Sequence, residues 1–551
     1  MTFFGRRRAA AVAVVAVVAL CGAAGAQAKA PACSAGTLVH TQSGPVCGVT
    51  SKGQTDYLDI RYAAPPVGAL RWAPPQPPQP SASTYQATRR GRECAQPSFP
   101  KGGLMKGTSE DCLFLEVQEP AHVRPGSKLP VMVEIHGGGF LGEYRDDQGT
   151  NFIHSGPVIY VYIEYRLGVF GFLADHALGA HSGDYGLMDQ QAALRWVKQN
   201  IAGFGGDPHN VTIFGESAGG ASVCDEVASP TAKGLFERGI SVSGFYNFNV
   251  NTIWWPADCK STLPTEAQAQ AMGAKFAAAV GCGHASDVGA CLRAVPTATL
   301  VSQAGRYLEP TRGGAIGPIV NGTTLPMSAA RAFATGHVNR VPLIIGVGED
   351  EFNGGVYTNS VHHPVVANSP AQYQQLVRLQ FGSLAPKVMR LYPIRRYPAP
   401  SPFIAYRTIM ADAFSVCPAL QTEAELARHI PVYAYQDDDN DSPAEVPGTK
   451  QPLGANHSAI NRLVHDVPST LDANQRVLQN QVLAEWTGFA RNGDPSPAAT
   501  PLWSRYSAAG HPVMALLPAG DSALTTTDAI TAAHHCGFWD TVKRSIPGAV
   551  G

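Results

Sequence analysis

The sequence predicts an α/β fold with a large, mostly parallel central sheet flanked by helices. Short apolar segments rich in β-branched and aromatic residues alternate with segments of helical periodicity, which is typical of βαβ units. The chain has 551 residues, 44% of them hydrophobic and 15% charged, so it can bury a large core. No internal repeat is visible.

The alternation is clearest between residues 129 and 214. LPVMVEI (Leu129–Ile135) and VIYVYI (158–163) are predicted strands, and VTIF (211–214) is a third. Between the last two, 189–201 carries apolar residues at helical spacing. Because strands and helices alternate, we expect neighbouring strands to be parallel and covered on both faces.

The second half continues the pattern less clearly. Helices are predicted at 266–280, Pro370–Phe381 and 475–490, and an apolar strand is predicted in LIIGVG before Glu349. Residues 61–102 are rich in Pro and Gly, and 436–452 are acidic and contain Pro. Both are predicted to be surface loops.

The first 28 residues are predicted to be a signal peptide. Three arginines (6–8) precede an apolar segment (9–20) that is too short to span a bilayer, and Ala-Gln-Ala (26–28) fits a cleavage site. A membrane anchor and a lipid anchor through Cys21 are the alternatives, although Leu20 is bulky for lipoprotein cleavage. We therefore expect a secreted, periplasmic or extracellular protein with one domain over 29–551 and no stable membrane span.

Charge and cysteine content limit the partners and the compartment. The formal net charge is −1, which gives no electrostatic case for nucleic acid. Ten of the eleven cysteines follow the predicted signal, and an even number in an exported chain suggests disulfides. Spacing alone leaves their pairing open but favours the short loops Cys33/Cys47, Cys94/Cys112 and Cys282/Cys291.

Ser217 is a candidate nucleophile. It lies in FGGDPHNVTIFGESAGG (204–220), where a predicted strand runs through G-E-S-A-G into a segment that can begin a helix. Small residues on either side permit a strained turn that lifts the hydroxyl out of the sheet. The G-x-S-x-G pattern alone is weak evidence, so the assignment of Ser217 depends on finding a base and an acid elsewhere in the sequence.

A serine hydroxyl needs a base, and the base needs a carboxylate to orient it. Asp350 and Glu351 follow the LIIGVG strand, and His457 lies in the small-residue loop GANHSAI. The chain order Ser, acid, His fits a sheet of this kind. His465, His534 and His535 are competing histidines.

The segment HGGGF (136–140) follows the first predicted strand. Consecutive glycines allow backbone N–H groups to approach a substrate and hold a developing oxyanion. Neither a cofactor nor a metal is expected for such chemistry.

Several longer motifs resemble those of the type-B carboxylesterases, the esterase/lipase family that includes the cholinesterases. EDCLFLEV (110–117), EYRLGVFGFL (164–173), GDYGLMDQQAALRWVKQNIAGFGGDPHNVTIFGESAGG (183–220), PIVNGTTLP (318–326), FARNGDP (489–495) and PLWSRY (501–506) carry the resemblance. The similarity extends over about 46–516.

The resemblance implies an α/β-hydrolase fold and an esterase triad. It assigns Ser217 as nucleophile, Glu351 as acid and His457 as base. The oxyanion donors are then the N–H groups of Gly138, Gly139 and Ala218. Supporting positions are Glu216, before the nucleophile, and Ser243, which supports the acid. The implied disulfides are Cys94–Cys112, Cys282–Cys291 and Cys417–Cys536, and the remaining cysteines then form Cys33–Cys47 and Cys224–Cys259.

The chain departs from the family pattern at several positions, among them the segment after His457, which lacks the acidic residue common there. Glu164 and Asp184 replace asparagines, and Phe352 replaces the glycine after the acid. The loop between Cys94 and Cys112 contains no Trp, so a preference for choline esters is not expected.

The expected function is hydrolysis of small-molecule or lipid-like carboxylic esters through an acyl-enzyme on Ser217. A lipase acting on long acyl chains is one alternative. A catalytically inactive, cholinesterase-like binding domain is the other, although such proteins typically lack the serine or the histidine that this chain retains. The sequence does not identify the physiological ester, the acyl-chain preference or the oligomeric state.

Overall fold

A computed structural model describes most of the chain. The described residues are 32–98, 102–143, 149–245, 248–250, 253–255, 259–260, 263–307, 316–352, 367–399, 401–440, 453–465, 471–497, 500–507 and 510–542. The predicted signal peptide, 1–28, lies outside them.

The strands of the described residues form one large sheet and two small ones. They are β1 (Leu38–Thr41), β2 (Gly44–Cys47), β3 (Val49–Ser51), β4 (Gln54–Arg61), β5 (Tyr85–Gln86), β6 (Phe114–Pro120), β7 (Leu129–Ile135), β8 (Ile159–Ile163), β9 (Gly206–Glu216), β10 (Arg238–Val242), β11 (Phe248–Val250), β12 (Ile253–Trp255), β13 (Leu343–Gly348), β14 (Val432–Asp437), β15 (Pro512–Leu516) and β16 (Ala523–Thr526).

The large sheet has eleven strands in the order β16-β15-β14-β13-β10-β9-β7-β8-β6-β4-β3. Every pair from β15 to β8 is parallel, and the outer pairs at both edges are antiparallel. The predicted α/β class, with a mostly parallel sheet, is therefore confirmed. The small sheets are β1-β2-β5 and β11-β12.

Helices cover both faces of the large sheet. The α-helices are α1 (Thr150–Ser155), α2 (Gly168–Phe172), α3 (Tyr185–Asn200), α4 (Ala218–Ala228), α5 (Glu266–Ala279), α6 (Val288–Ala294), α7 (Thr297–Tyr307), α8 (Ala329–Thr335), α9 (Pro370–Phe381), α10 (Ala385–Leu391), α11 (Ser401–Ala411), α12 (Cys417–Leu426), α13 (Ala459–His465), α14 (Ala473–Asn492), α15 (Thr527–Ala533) and α16 (Cys536–Val542).

Alternate residues of each central strand enter two different cores. Val131 and Val133 of β7 belong to one buried cluster, whereas Met132, between them, belongs to the cluster on the other face. Burial on both faces explains why these strands are continuous apolar runs in the sequence. It also fixes the register, because a one-residue slip would exchange the two faces.

Local signals set the bounds of the long helix α14. Asp472 and Gln475 form a capping box at its N-terminus, and Gly493 ends it in a left-handed conformation with φ 80°. Side chains therefore satisfy the first N–H groups, and glycine takes the φ that other residues avoid. The helix accordingly begins before and ends after the predicted range 475–490.

Two loop predictions are partly wrong. Gln436 and Asp437 complete β14 and are buried, because β14 pairs along its full length with β13. Residues 61–98 have mostly irregular backbone, but Trp72 within them is 1% exposed and donates its indole N–H to Val169 O. The Pro-rich composition correctly predicted the irregular backbone of this segment, but it did not predict that Trp72 is buried.

The ten cysteines of the described residues form five disulfides: Cys33–Cys47, Cys94–Cys112, Cys224–Cys259, Cys282–Cys291 and Cys417–Cys536. Five such bonds indicate an extracellular or ER-lumen environment, since reducing compartments keep thiols free. One helical run, Ser401–Leu426, is long and apolar enough to cross a bilayer, but 94% of its most apolar stretch is buried. It is a core helix.

Asp184, which precedes α3, is fully buried at φ 52°, and its Oδ1 accepts the Ile319 N–H at 2.8 Å. Burial raises its pKa well above the ordinary value. Because the folded state holds this proton and the unfolded state releases it above about pH 4, Asp184 lowers stability as pH rises.

We therefore expect Asp184→Asn to be more stable than the wild type by ~1–3 kcal/mol at pH 7, with the difference shrinking toward pH 4. Thermal unfolding midpoints measured across this pH range check the prediction. Asp189→Asn is the contrasting variant. It removes a carboxylate paired with the buried Arg166 at 2.7 Å, and it should lower stability at neutral pH. An Asp184→Asn protein less stable than the wild type at pH 7 would contradict the prediction.

Candidate active site

Ser217 lies on a sharp turn between β9 and α4. Its backbone has φ 60° and ψ −124°, and its N–H donates to Val242 O of β10 at 3.0 Å. A Cβ on Gly215 would lie 2.3 Å from Ile135 O, and one on Gly219 would lie 2.0 Å from the same oxygen. The turn therefore requires glycine on both sides, because any side chain would meet the end of β7.

Glu351 follows β13 and is fully buried. Its Oε2 accepts the Gly348 N–H at 2.9 Å and the Ser243 hydroxyl at 3.1 Å. Ser243 directly follows β10, the strand between β9 and β13. The carboxylate is thus held by groups from two neighbouring strand ends, as expected for the carboxyl edge of a parallel sheet.

The imidazole of His457 contacts Glu351 directly. Its Nδ1 lies 2.5 Å from Glu351 Oε1, and its backbone N–H donates to Glu351 O at 3.1 Å. Asp350, the other carboxylate of the pair, instead packs against the turn at Gly454, where an added Cβ would lie 1.9 Å from its Oδ2. Of the two acids considered, Glu351 is the one whose carboxylate meets the imidazole.

The competing histidines lie elsewhere. His465 Nε2 is 3.3 Å from Glu134 Oε1, and His534 Nδ1 is 2.7 Å from Asp412 Oδ1. His535 packs edge-on against Tyr392 at 5.0 Å. Their contacts are with residues other than Ser217 and Glu351.

Glu216 makes a contact that no sequence pattern indicated. Its Oε1 lies 3.0 Å from Nε2 of His457, so a carboxylate faces each nitrogen of the ring. Among the described residues, no hydrogen bond joins the Ser217 hydroxyl to His457. Ser217 is nevertheless the next residue after Glu216, and catalytic hydrogen bonds often tighten only when substrate binds.

The glycine loop after β7 lies against this turn. A Cβ on Gly137 would be 3.1 Å from the Ser217 Cβ. Gly138 and Gly139 have φ 96° and 65°, and a Cβ on Gly138 would lie 2.0 Å from Gly142 O. Ala218 begins α4, where the first N–H groups of a helix have no intrahelical acceptor. Backbone N–H groups of both segments therefore lie close to the serine in the chain or in space.

Burial dominates the electrostatics of the acid–imidazole pair. It lowers the pKa of His457 to about 3. It also raises the pKa of Glu351 to about 8, an effect that the hydrogen bonds from Gly348 and Ser243 oppose. Because burial keeps the imidazole neutral near pH 7, only one ring nitrogen carries a proton, and the contact of Nδ1 with Glu351 is a hydrogen bond and not a permanent ion pair.

Comparisons with known proteins identify the family of the chain. The Carboxylesterase family model matches residues 35–539. The chain is 32% identical to para-nitrobenzyl esterase of Bacillus subtilis, covering 85% of this chain and 92% of that protein. It is 31% identical to fumonisin B1 esterase of Sphingopyxis macrogoltabida, covering 86% and 85%, and 31% identical to human cocaine esterase, covering 93% and 90%.

The type-B resemblance in the motifs is thus confirmed over nearly the whole chain. The chain belongs to the carboxylesterase family and is a serine-type carboxylic ester hydrolase with the α/β-hydrolase fold.

Proposed function

We propose that the enzyme hydrolyses carboxylic esters through an acyl-enzyme on Ser217, with His457 as base and Glu351 as the acid that orients it. The observation that carries the proposal is the sharp turn at Ser217, where the backbone has a positive φ. The turn leaves no room for a side chain at Gly215 or Gly219. The contact of Glu216, the preceding residue, with His457 supports a serine close to the carboxylate–imidazole pair.

In the first step, Nε2 of His457 takes the hydroxyl proton as Ser217 attacks the ester carbonyl. The N–H groups of Gly138, Gly139 and Ala218 stabilise the oxyanion. The imidazolium then protonates the departing alcohol. Water repeats the sequence on the acyl-enzyme and releases the acid.

Glu351 accepts the Nδ1–H and so keeps Nε2 available as a base. Ser243, through its hydroxyl, holds the Glu351 carboxylate in place. Glu216 contributes a second negative charge near Nε2, which favours the imidazolium that forms during the reaction. Nε2 must leave Glu216 to reach the serine, so the contact with Glu216 belongs to the resting enzyme.

The proposal extends to export and substrate class. A signal peptide over 1–28 followed by one domain over 29–551 agrees with the disulfides and with the family match. The relatives are named for esters of small organic molecules, and this supports small-molecule esters as the substrate class. No feature of the described residues favours a long-chain lipase.

Replacing the nucleophile tests the central claim. We expect Ser217→Ala to lower kcat for an activated acetyl ester by roughly 10⁴-fold or more, because the acyl-enzyme no longer forms. Ser222→Ala is the matched control: Ser222 is a buried serine of the same helix that accepts a hydrogen bond from Gln190 at 3.0 Å. It should retain activity. A fluorophosphonate probe followed by peptide mass spectrometry should label Ser217. Equal hydrolysis by Ser217→Ala, or an inactive wild type, would contradict the proposal.

The buried imidazole sets the pH dependence. Activity needs neutral His457, and burial makes its protonation difficult, so kcat/KM should stay high as pH falls through the usual histidine value of about 6.5. A profile of kcat/KM from pH 8 to about 4, with a non-ionising ester, measures the acid limb. A midpoint at or above 6.5 would mean that attraction by Glu351 and Glu216 exceeds the effect of burial.

A substitution that removes the charge of Glu216 and keeps the shape of its side chain tests the role of that charge. Glu216→Gln is expected to lower kcat about 10-fold and to move the acid limb to lower pH, because a carboxylate no longer stabilises the imidazolium. Glu226→Gln is the control, since Glu226 is a buried carboxylate of α4 that instead accepts a hydrogen bond from Gln191 at 2.9 Å. An unchanged pH profile in Glu216→Gln would show that its charge does not act on His457.

A further inference from the structure

Three buried side chains converge at the carboxyl edge of the large sheet, next to the glycine loop. His136, Glu143 and Glu164 each place one potential metal-ligand atom so that all three atoms lie within 4.8 Å of one another. The three residues are 2%, 3% and 0% exposed. Among the described residues, this is the group of His, Cys, Asp or Glu side chains that meets the geometry of a metal site.

The fold brings these residues together from separate segments. β7 and β8 are parallel neighbours with Ile135 opposite Ile163, so the residues that follow, His136 and Glu164, lie side by side. Glu143 returns to them from the far end of the glycine loop. Its backbone N–H donates to Gln96 Oε1 at 2.9 Å, which fixes that end of the loop.

Neighbouring groups orient the ligands. His136 Nδ1 lies 2.9 Å from Gly137 O and must donate to it, so Nε2 is the nitrogen with the lone pair. Nε2 is 4.0 Å from Glu143 Oε2, and Tyr162 donates its hydroxyl to the other oxygen of Glu143 at 3.0 Å. Tyr165 stacks on the imidazole at 4.3 Å and donates to His136 O. A histidine whose second nitrogen is anchored on a carbonyl is a common arrangement at metal sites.

We propose that His136, Glu143 and Glu164 bind one zinc ion that holds both ends of the glycine loop. One imidazole and two carboxylates suit Zn²⁺, and a water molecule would complete a four-coordinate site. Ligand bonds of roughly 2.0–2.2 Å place tetrahedral ligand atoms about 3.4 Å apart, so the side chains must close by at most ~1.4 Å.

The role proposed for zinc is structural. His136 immediately precedes Gly137, and Glu143 immediately follows Gly142, so the ion joins the two ends of the segment that carries Gly138 and Gly139. It takes no part in the ester chemistry, for which the sequence predicted no metal. Glu164 stands where the family motif has asparagine, and it adds a carboxylate ligand to this edge of the sheet.

The test is zinc binding by the full-length exported enzyme, independent of ester hydrolysis. Chelator-treated protein is titrated with zinc chloride, and bound zinc is measured by mass spectrometry of the metal after gel filtration. We expect one zinc per chain and a rise in the thermal midpoint. Cobalt(II) in place of zinc should give the visible absorption of a tetrahedral nitrogen–oxygen site. Wild-type protein that binds no zinc overturns the proposal.

Variants locate the ion. Glu164→Gln and Glu143→Gln keep the side-chain shape and remove one ligand each, and each should weaken zinc binding at least ~10-fold. Glu134→Gln is the matched control: Glu134 is a buried carboxylate of β7 that faces His465 instead, and it should leave zinc binding unchanged. Circular dichroism checks that each variant is folded.

The alternative location for the zinc ion is the other acid–imidazole group, in which His457 contacts Glu351 and Glu216. If zinc binding is lost in Glu216→Gln and kept in Glu164→Gln, the ion lies at His457, and the proposal is wrong. Equal zinc affinity in wild type, Glu143→Gln and Glu164→Gln likewise overturns it.

Discussion

The arrangement of the active site depends on one close contact, between the end of β7 and the turn at Ser217. Ile135 O occupies the space that a Cβ on Gly215 or Gly219 would need, so the two segments meet backbone to backbone. The same contact brings the glycine loop, which leaves β7 at Ile135, alongside the serine. Ser217 and the proposed oxyanion donors are therefore positioned together by a single steric constraint. Side chains at Gly215 and Gly219 would push the end of β7 away from the turn, so the two segments can come this close only where both positions are glycine.

A second constraint is the burial of many ionisable groups at the carboxyl edge of the sheet. His136, Glu143, Glu164, Glu351 and His457 are at most 3% exposed. Charged forms are costly there, so such groups require hydrogen bonds or an opposite charge. The parallel strands explain the concentration, since their carboxyl ends all point to one edge and the connecting loops begin there. The acid–imidazole pair and the proposed zinc site therefore lie at the same edge of one scaffold.

The elements that the sequence predicted well are those with strong local signals. The bounds of β7 and α9 are the predicted ones, because continuous apolar segments and a Pro at the start of a helix are strong local signals. Residues 436–437 were wrongly assigned to a loop because Asp and Gln are rare inside a sheet. Pairing of β14 with β13 decided the outcome there, and pairing is a long-range property. The contact between Glu216 and His457 was missed for the same reason, since 241 positions separate the two residues.

What the sequence by itself determined is the α/β class and, through its motifs, the family and the residues to examine at Ser217, Glu351 and His457. Local chemistry suffices for this, because glycine patterns, apolar runs and motif spacing are written along the chain. The resemblance already favoured Glu351 over Asp350. Only the tertiary structure decided that its carboxylate contacts His457 directly, that Glu216 faces the opposite ring nitrogen, and that His136, Glu143 and Glu164 converge. Those outcomes depend on which strand ends become neighbours, and the order of strands in the sheet differs from their order in the chain.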